Sequence, residues 1–530
     1  MKTTFLIIIA GILFAFNANA QYGSIDLSFN GTGYNLVELS NGIYLTSDMV
    51  ILPDNRILVA GRRGTSLGTP GFPVVMRFKA DGSLDETFGL NGITDIDWSE
   101  LDDYVNSIIV SSDNHIYITG YGINPVPGFN DNQAFGAVAK LTFDGIPVTE
   151  FGDNGVLTFI DDSMQNEFSD YNITDIAEDE QGEFVICGVL TQNNSSNSLM
   201  NFVAKIKDDG SFSENFIDQS LIEIVYNQLP QAFDEKPRFI EFDEAGNILI
   251  AAQCYNSEGL LGLSVVRFTS FGLLDTNFNA NGIAWNTDEW GSALYSFDLL
   301  DDGSMLLASE GDFGYAGSPT EVYKFDTNGF IDNTFGENGY QLFYFDYSTS
   351  VPSRFYDLKP TSDGFFLVEK VINPPLFAPI GEGMLIAKCK NDGTLDTDFG
   401  IDGKSYFIPT MQIQPARIDI DNTGRIVVCG HTTNPSFNFF VARFNGVPDN
   451  VDEFEKSKSL VAFPNPSSGL VNLNLDAPSQ VLIFDLHGSL VQSVYSNGEK
   501  PLDLRDLPTG FYAIQAITEN IVLQGKLIIE

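Results

Sequence analysis

The chain has 530 residues, 43% of them hydrophobic and 18% charged, with 44 Phe and 49 Gly against three Trp. Seventy-one Asp and Glu outweigh 27 Lys and Arg, giving a formal net charge of −44, which repels phosphate backbones and anionic lipid heads and excludes nucleic acid as a partner. The length exceeds one simple domain unless the chain is a repeat array or a large β fold, and Gly-rich turns with abundant aromatic residues favour all-β.

In chain order, residues 1–20 read as a secretory signal peptide. Lys2 supplies the positive start, Phe5 to Phe16 is an apolar run, and Ala18-Asn19-Ala20 offers a cleavage site before Gln21. No later run is long and apolar enough to span a bilayer as a helix. A repeat then fills residues 22–446. Its first mark is the turn Asp81-Gly82-Ser83-Leu84-Asp85-Glu86-Thr87-Phe88-Gly89, whose Phe recurs at Phe29, Phe88, Phe151, Phe216, Phe278, Phe335 and Phe399. The second is a hairpin turn leading into an apolar strand, as in Asp54-Asn55-Arg56-Ile57-Leu58-Val59-Ala60-Gly61. The third is a strand carrying one basic residue: Arg77, Lys140, Lys205, Arg267, Lys324, Lys388 and Arg443.

Each period holds four short strands, the pattern of a propeller blade, and three marks agree on seven blades. The array stops at Asn445-Gly446, inside a turn, and Gly23 to Phe29 is the remainder of such a turn. The spacing therefore predicts that Tyr34 to Leu39 is the outer strand of the seventh blade, and that Gly23 and Gly446 are neighbours. Cys187 and Cys429 stand where other repeats have Ala60, Ala251 and Ala308. With Cys254 and Cys389 they form no C-x-x-C pair, so small buried residues are expected rather than bridges or zinc ligands.

The Leu-Asp-x-x-Phe-Gly-x-x-Gly signature resembles the delta-sixty repeat of bacterial surface and secreted proteins, which implies a propeller and no particular function. Val148 and Ser213 depart from it at the Asp, and Ser220 at the last Gly. A polar linker, 447–459, precedes a second domain, 460–530. Its marks are Phe463-Pro464-Asn465-Pro466, Phe484-Asp485-Leu486-His487-Gly488, Leu507-Pro508-Thr509-Gly510-Phe511-Tyr512 and the ending Lys526-Leu527-Ile528-Ile529-Glu530. These are similar to the type A sorting domain of type nine secretion cargo. The resemblance implies an immunoglobulin-like β-sandwich, engagement of the type nine secretion machinery, and a secreted or outer-membrane surface-attached product. The alternating strands and Pro/Gly turns independently indicate a small sandwich.

The seven Phe are expected to plug the seams between blades. The seven basic residues are expected to pair within their blade with Asp26, Asp85, Asp275, Asp332 and Asp396, Glu150 and Glu214 substituting where the Asp is missing; a cationic ring lining the channel is the alternative. His115, His431 and His487 read as surface or loop residues, which gives no support to triad or zinc chemistry. No EF-hand spacing occurs. Asp396, Asp398 and Asp402 form an acidic turn able to take calcium, read here as a solvated turn. No catalytic residue, cofactor or metal is assigned.

Both Asp-Gly turns of a blade fall on one end of the ring. The other two connections share the opposite end and differ in every repeat, which is where a scaffold gains function. They carry Phe72, Tyr121, Phe129, Tyr255, Phe313, Tyr315 and Phe377, aromatic rings suited to sugars or extended peptides. The leading expectation is a monomeric, non-catalytic binding or adhesion protein meeting an extracellular glycan or protein. An extracellular carboxylate-dependent polysaccharide hydrolase or lyase, and a structural surface repeat, are the alternatives. Acids converging in a central pocket would favour the enzyme.

Overall fold

A computed structural model describes residues 22–38, 43–64, 70–125, 132–159, 169–192, 199–216, 222–224, 234–255, 261–287, 293–310, 319–345, 354–372, 382–434, 436–446, 462–473, 475, 479–484, 490–496, 500–505, 507–517 and 522–529. The chain divides into two compact units, 1–448 and 449–530. The signal-peptide reading of 1–20, the linker and His487 lie outside the described residues.

The first unit holds seven four-stranded antiparallel sheets among the described residues. Blades 1 to 6 occupy 43–95, 103–159, 169–224, 234–287, 293–343 and 354–407, with strands in chain order from inside to outside. Blade 7 is different. Gln412–Ile420, Ile426–Asn434 and Phe439–Phe444 are completed by Tyr34–Val37, which pairs Asn35 with Val441 and Leu36 with Phe440. The Gly23 N–H donates to the Asn445 carbonyl at 2.7 Å, and the Arg443 N–H donates to the Gly33 carbonyl at 2.9 Å. The two chain segments thus share one sheet.

First strands pack against first strands all the way round, including blade 7 against blade 1, so the ring is closed. Its core is seven hydrophobic clusters, one at each seam. A sheet this short cannot bury both faces alone; stacking does so. The four cysteines are free and buried.

In the second unit, one sheet orders Leu490–Ser496, Ser479–Phe484, Gly510–Ile517 and Val522–Ile529, and a smaller one holds Ala462–Phe463, Leu470–Leu473 and Leu502–Asp503. Both line one core that includes Val471, Ile483, Leu504 and Leu527. Asn465 of the Phe-Pro-Asn-Pro motif ties to the last strand, its amide donating to the Lys526 carbonyl at 2.7 Å and its oxygen accepting from the Ile528 N–H at 2.8 Å.

Candidate functional site

The repeat residues build the seams. Each of the seven Phe is at most 4% exposed. Phe88 lies under the Asp-Gly turn of the next blade, where a Cβ on Gly145 would stand 2.6 Å from its ring and where φ is +80°. The basic residue rivets the same seam. Arg77 pairs with Asp85 at 2.7 Å, lies 4.9 Å from the Phe88 ring centre, and donates to the Phe143 carbonyl of the next blade at 2.6 Å. Arg443–Asp26 at 2.8 Å, Arg267–Asp275 at 2.8 Å and Lys324–Asp332 at 3.2 Å follow the same plan.

Three pairs depart from expectation. Lys140 bonds Asp208 of the next blade, not Glu150, because with Val148 in place of the Asp the nearest carboxylate lies across the seam. Lys205 takes Asp179 at 2.5 Å and Glu183 at 3.1 Å from its own hairpin, while Glu214 reaches only Lys207. Lys388 takes Asp363 at 2.6 Å instead of Asp396. These basic groups therefore face seams and turns, not the channel.

The channel is lined by the seven first strands, and all seven bulge at the same register. A bulge re-aims side chains and frees backbone groups of an edge strand. Here the residue after each bulge serves the neighbouring blade. Asp48 accepts from the Ile108 N–H at 2.9 Å, Asp175 from the Ile240 N–H at 2.8 Å, and Asp357 from the Ile418 N–H at 3.0 Å. Ser296 donates to Asp357 at 2.8 Å, and Arg417 donates to Asp48 at 3.0 Å. Blade 4 breaks this belt with Phe239, and Arg417 reaches to within 6.0 Å of that ring's centre from blade 7.

Two residues further along each first strand, toward the hairpin turns, the seven positions are Val50, Ile109, Ala177, Glu241, Asp298, Lys359 and Asp419. All line a cavity of about 440 Å³. At this level blades 1 to 3 contribute apolar side chains and blades 4 to 7, Glu241 to Asp419, charged ones, while Asp48, Asp175 and Glu178 of blades 1 and 3 line the same cavity. Lys359 stands 3.7 Å from Asp298 and 3.4 Å from Asp419, and these carboxylates, Asp298 foremost, hold its ammonium charged well above its ordinary range. Burial pushes Glu241 up to about 8, reinforced by Asp298 and Asp175 and opposed by Lys359. Burial likewise pushes Asp298 up to about 7 against the pull of Lys359. These acids were missed from sequence, since 71 carboxylates give no pair prominence. The bulge itself has a signal in four blades: Gly61, Gly120, Gly188 and Gly430 sit opposite it, where a Cβ would meet a first-strand carbonyl at 1.8–2.2 Å, but Ala252 and Ser309 take that place in the blades of Glu241 and Asp298.

At the opposite end, the aromatic residues assigned to loops are partly elsewhere. Phe72, Tyr121 and Tyr255 lie inside strands, because the second and third strands stay paired further out than the repeat marks. Phe129, Phe313, Tyr315 and Phe377 fall outside the described residues. Tyr121 stacks on Tyr104 with centroids 4.6 Å apart, the Arg62 guanidinium lies 4.6 Å from the Tyr104 ring centre, and Arg62 bonds Asp102. Beside them Arg63 lies 5.0 Å from the Phe72 ring centre. All six side chains are half-buried.

The histidines divide. His115 is partly exposed and bonds Asp113 at 2.8 Å. His431 corrects the surface reading: it is 4% exposed within Ile426–Asn434, its Nδ1 accepts from the Thr46 N–H at 3.3 Å, and burial pushes it down to about 4. Among the described residues, the His and carboxylate atoms that converge within 4.8 Å belong to Asp113, His115 and Asp208. Lys140 and Tyr117 already occupy Asp208, and the acidic turn at Asp396 is not such a group.

Fold and channel together define a β-propeller with a charged central cavity. Residues 52–88 match the family described as a domain of unknown function (DUF5122) beta-propeller, and residues 461–530 match the secretion system C-terminal sorting domain. The chain thus carries a type nine sorting domain, which engages the secretion machinery and marks it for export to the cell surface or extracellular space. No curated protein matches the chain. Similar solved structures include a polysaccharide lyase, ulvan lyase, bound to -[GlcA(1-4)Rha3S]- (10% identity, 78% of this chain and 96% of that one, TM-score 0.44). Others are a protein of unknown function from Dyadobacter fermentans (12%, 67% and 98%, 0.38) and Drosophila Semaphorin 1a (9%, 92% and 97%, 0.40).

Proposed function

We propose that the exported chain is a non-catalytic binding propeller whose extracellular partner, a glycan, meets the end of the ring opposite the Asp-Gly turns. The observation that carries this reading is the half-buried set of Arg62, Tyr104 and Tyr121 where blades 1 and 2 meet. Stacked, arginine-braced rings offer sugar faces a rigid apolar surface with hydrogen-bond donors at its rim. The latching of Asp48, Asp175 and Asp357 onto backbone amides supports it too, since those carboxylates are engaged in holding the ring. A glycan array probed with the secreted chain and with Tyr121→Ala tests it. Binding to a defined set of glycans, lost in the variant, is the expected result; no glycan signal, or an unaltered one, counts against it.

Glu241 and Asp298 favour a second reading, an extracellular carboxylate-dependent hydrolase or lyase of polysaccharide, because a carboxyl that keeps its proton near neutrality can act as a general acid. Release of reducing ends from an extracellular polysaccharide, abolished by Glu241→Gln, would establish that reading in place of the first.

A further inference from the structure

The turn-side mouth of the channel has features that the loop-end reading does not use. Seven carboxylates line the cavity (Asp48, Asp175, Glu178, Glu241, Asp298, Asp357 and Asp419) against three cations (Arg238, Lys359 and Arg417). Asp48, Asp175 and Asp357 hold backbone amides, and Asp298 and Asp419 flank Lys359. Glu241 differs from all of these. Among the described residues its carboxyl has neither a hydrogen-bond nor an ion-pair partner; the residue is half-buried and lines the cavity. It sits on blade 4, where Phe239 interrupts the polar belt.

A half-buried carboxylate without a partner is partly desolvated, and a ligand that supplies the missing positive charge offsets that cost. A metal ion does not fit. It needs several ligand atoms around one point, and the channel acids are not among the groups that converge so closely. A small anion is repelled by the excess of carboxylates. Val50, Ile109 and Ala177 form an apolar stretch at the level of Glu241, and about 440 Å³ is the room a small organic molecule requires.

We propose that the turn-side end of the channel binds an alkylammonium, with its methylene stem along Val50, Ile109 and Ala177 and its ammonium group against Glu241. The site is independent of the aromatic set at the other end of the ring. Its ligand class includes diamines and exposed lysine side chains of a partner.

Calorimetric titration of the full secreted chain with cadaverine tests this, with calcium chloride and sodium acetate as controls. Saturable binding of cadaverine alone is expected, weakened roughly tenfold or more in Glu241→Gln. Affinity should also rise between about pH 6 and about pH 9, as the proton that competes with the ammonium leaves Glu241. Glu241→Gln replaces a charged group by a neutral one of the same shape, and an unchanged circular dichroism spectrum establishes that it folds. No heat of binding at millimolar cadaverine, equal affinity in the variant, or equal saturation by calcium would each overturn the proposal.

Discussion

Phe88, Gly145 and Arg77 show how one repeat motif does three jobs at one seam. Phe88 fills the seam, Gly145 makes room for its ring, and Arg77 ties Asp85 to the carbonyl of the next blade. Phe88→Ala removes a fully buried ring and should lower unfolding free energy by about 3–5 kcal/mol in a denaturant titration. Gly145→Ala combines a left-handed φ with a ring contact and should cost more than about 1 kcal/mol in the same assay. The two cations should differ. Arg77→Met leaves Asp85, which is 4% exposed, with only Thr87 and the Arg56 guanidinium at 3.8 Å, and should cost up to about 3–5 kcal/mol. Lys140→Met leaves Asp208, whose side chain is 54% exposed, hydrated and still accepting from the Tyr117 hydroxyl, so its loss should be clearly smaller. Equal melting temperatures for the two variants would contradict this account of the pairs.

At the scale of the strand, the bulge is the feature that sequence periodicity hides. The apolar second strand, the Asp-Gly turn and the basic third strand repeat by residue type and could be read directly. The first strand repeats by backbone geometry. Its channel positions run from Val50 through Glu241 to Lys359, so no residue type announces them. Only the glycine opposite the bulge marks it, and only in four blades, as Gly61, Gly120, Gly188 and Gly430. The same reasoning explains why the arms holding Phe72 and Tyr121 read as loops in the sequence: pairing outlasts the repeat. The channel strand also sets a pH dependence. Glu241 binds its proton more tightly when folded, up to about pH 8, than an ordinary carboxyl near pH 4.5. The folded state therefore holds the extra proton between those values, and stability should fall as pH rises from about 5 to about 8. In Glu241→Gln that part of the slope should vanish, leaving melting temperature flatter across the window. An identical slope in both proteins would remove Glu241 from the account.

For the whole molecule, seven seam clusters and seven bulged first strands form a circle that the chain enters and leaves in the same blade. Closure was legible because the repeat stops mid-turn at Gly446 and starts mid-turn at Gly23. The latching belt was not, since it joins residues some 60 apart through side chains of different types. If the strand Tyr34–Val37 seals the circle, its bonds should open only when the ring unfolds. Hydrogen exchange of the Gly23, Asp26 and Arg443 amides measures this directly, because all three cross the junction. Protection comparable to that of Val428 in the middle of blade 7, lost in concert with it as denaturant is added, is the predicted result. Exchange of those three amides at free-peptide rates while Val428 stays protected would contradict it.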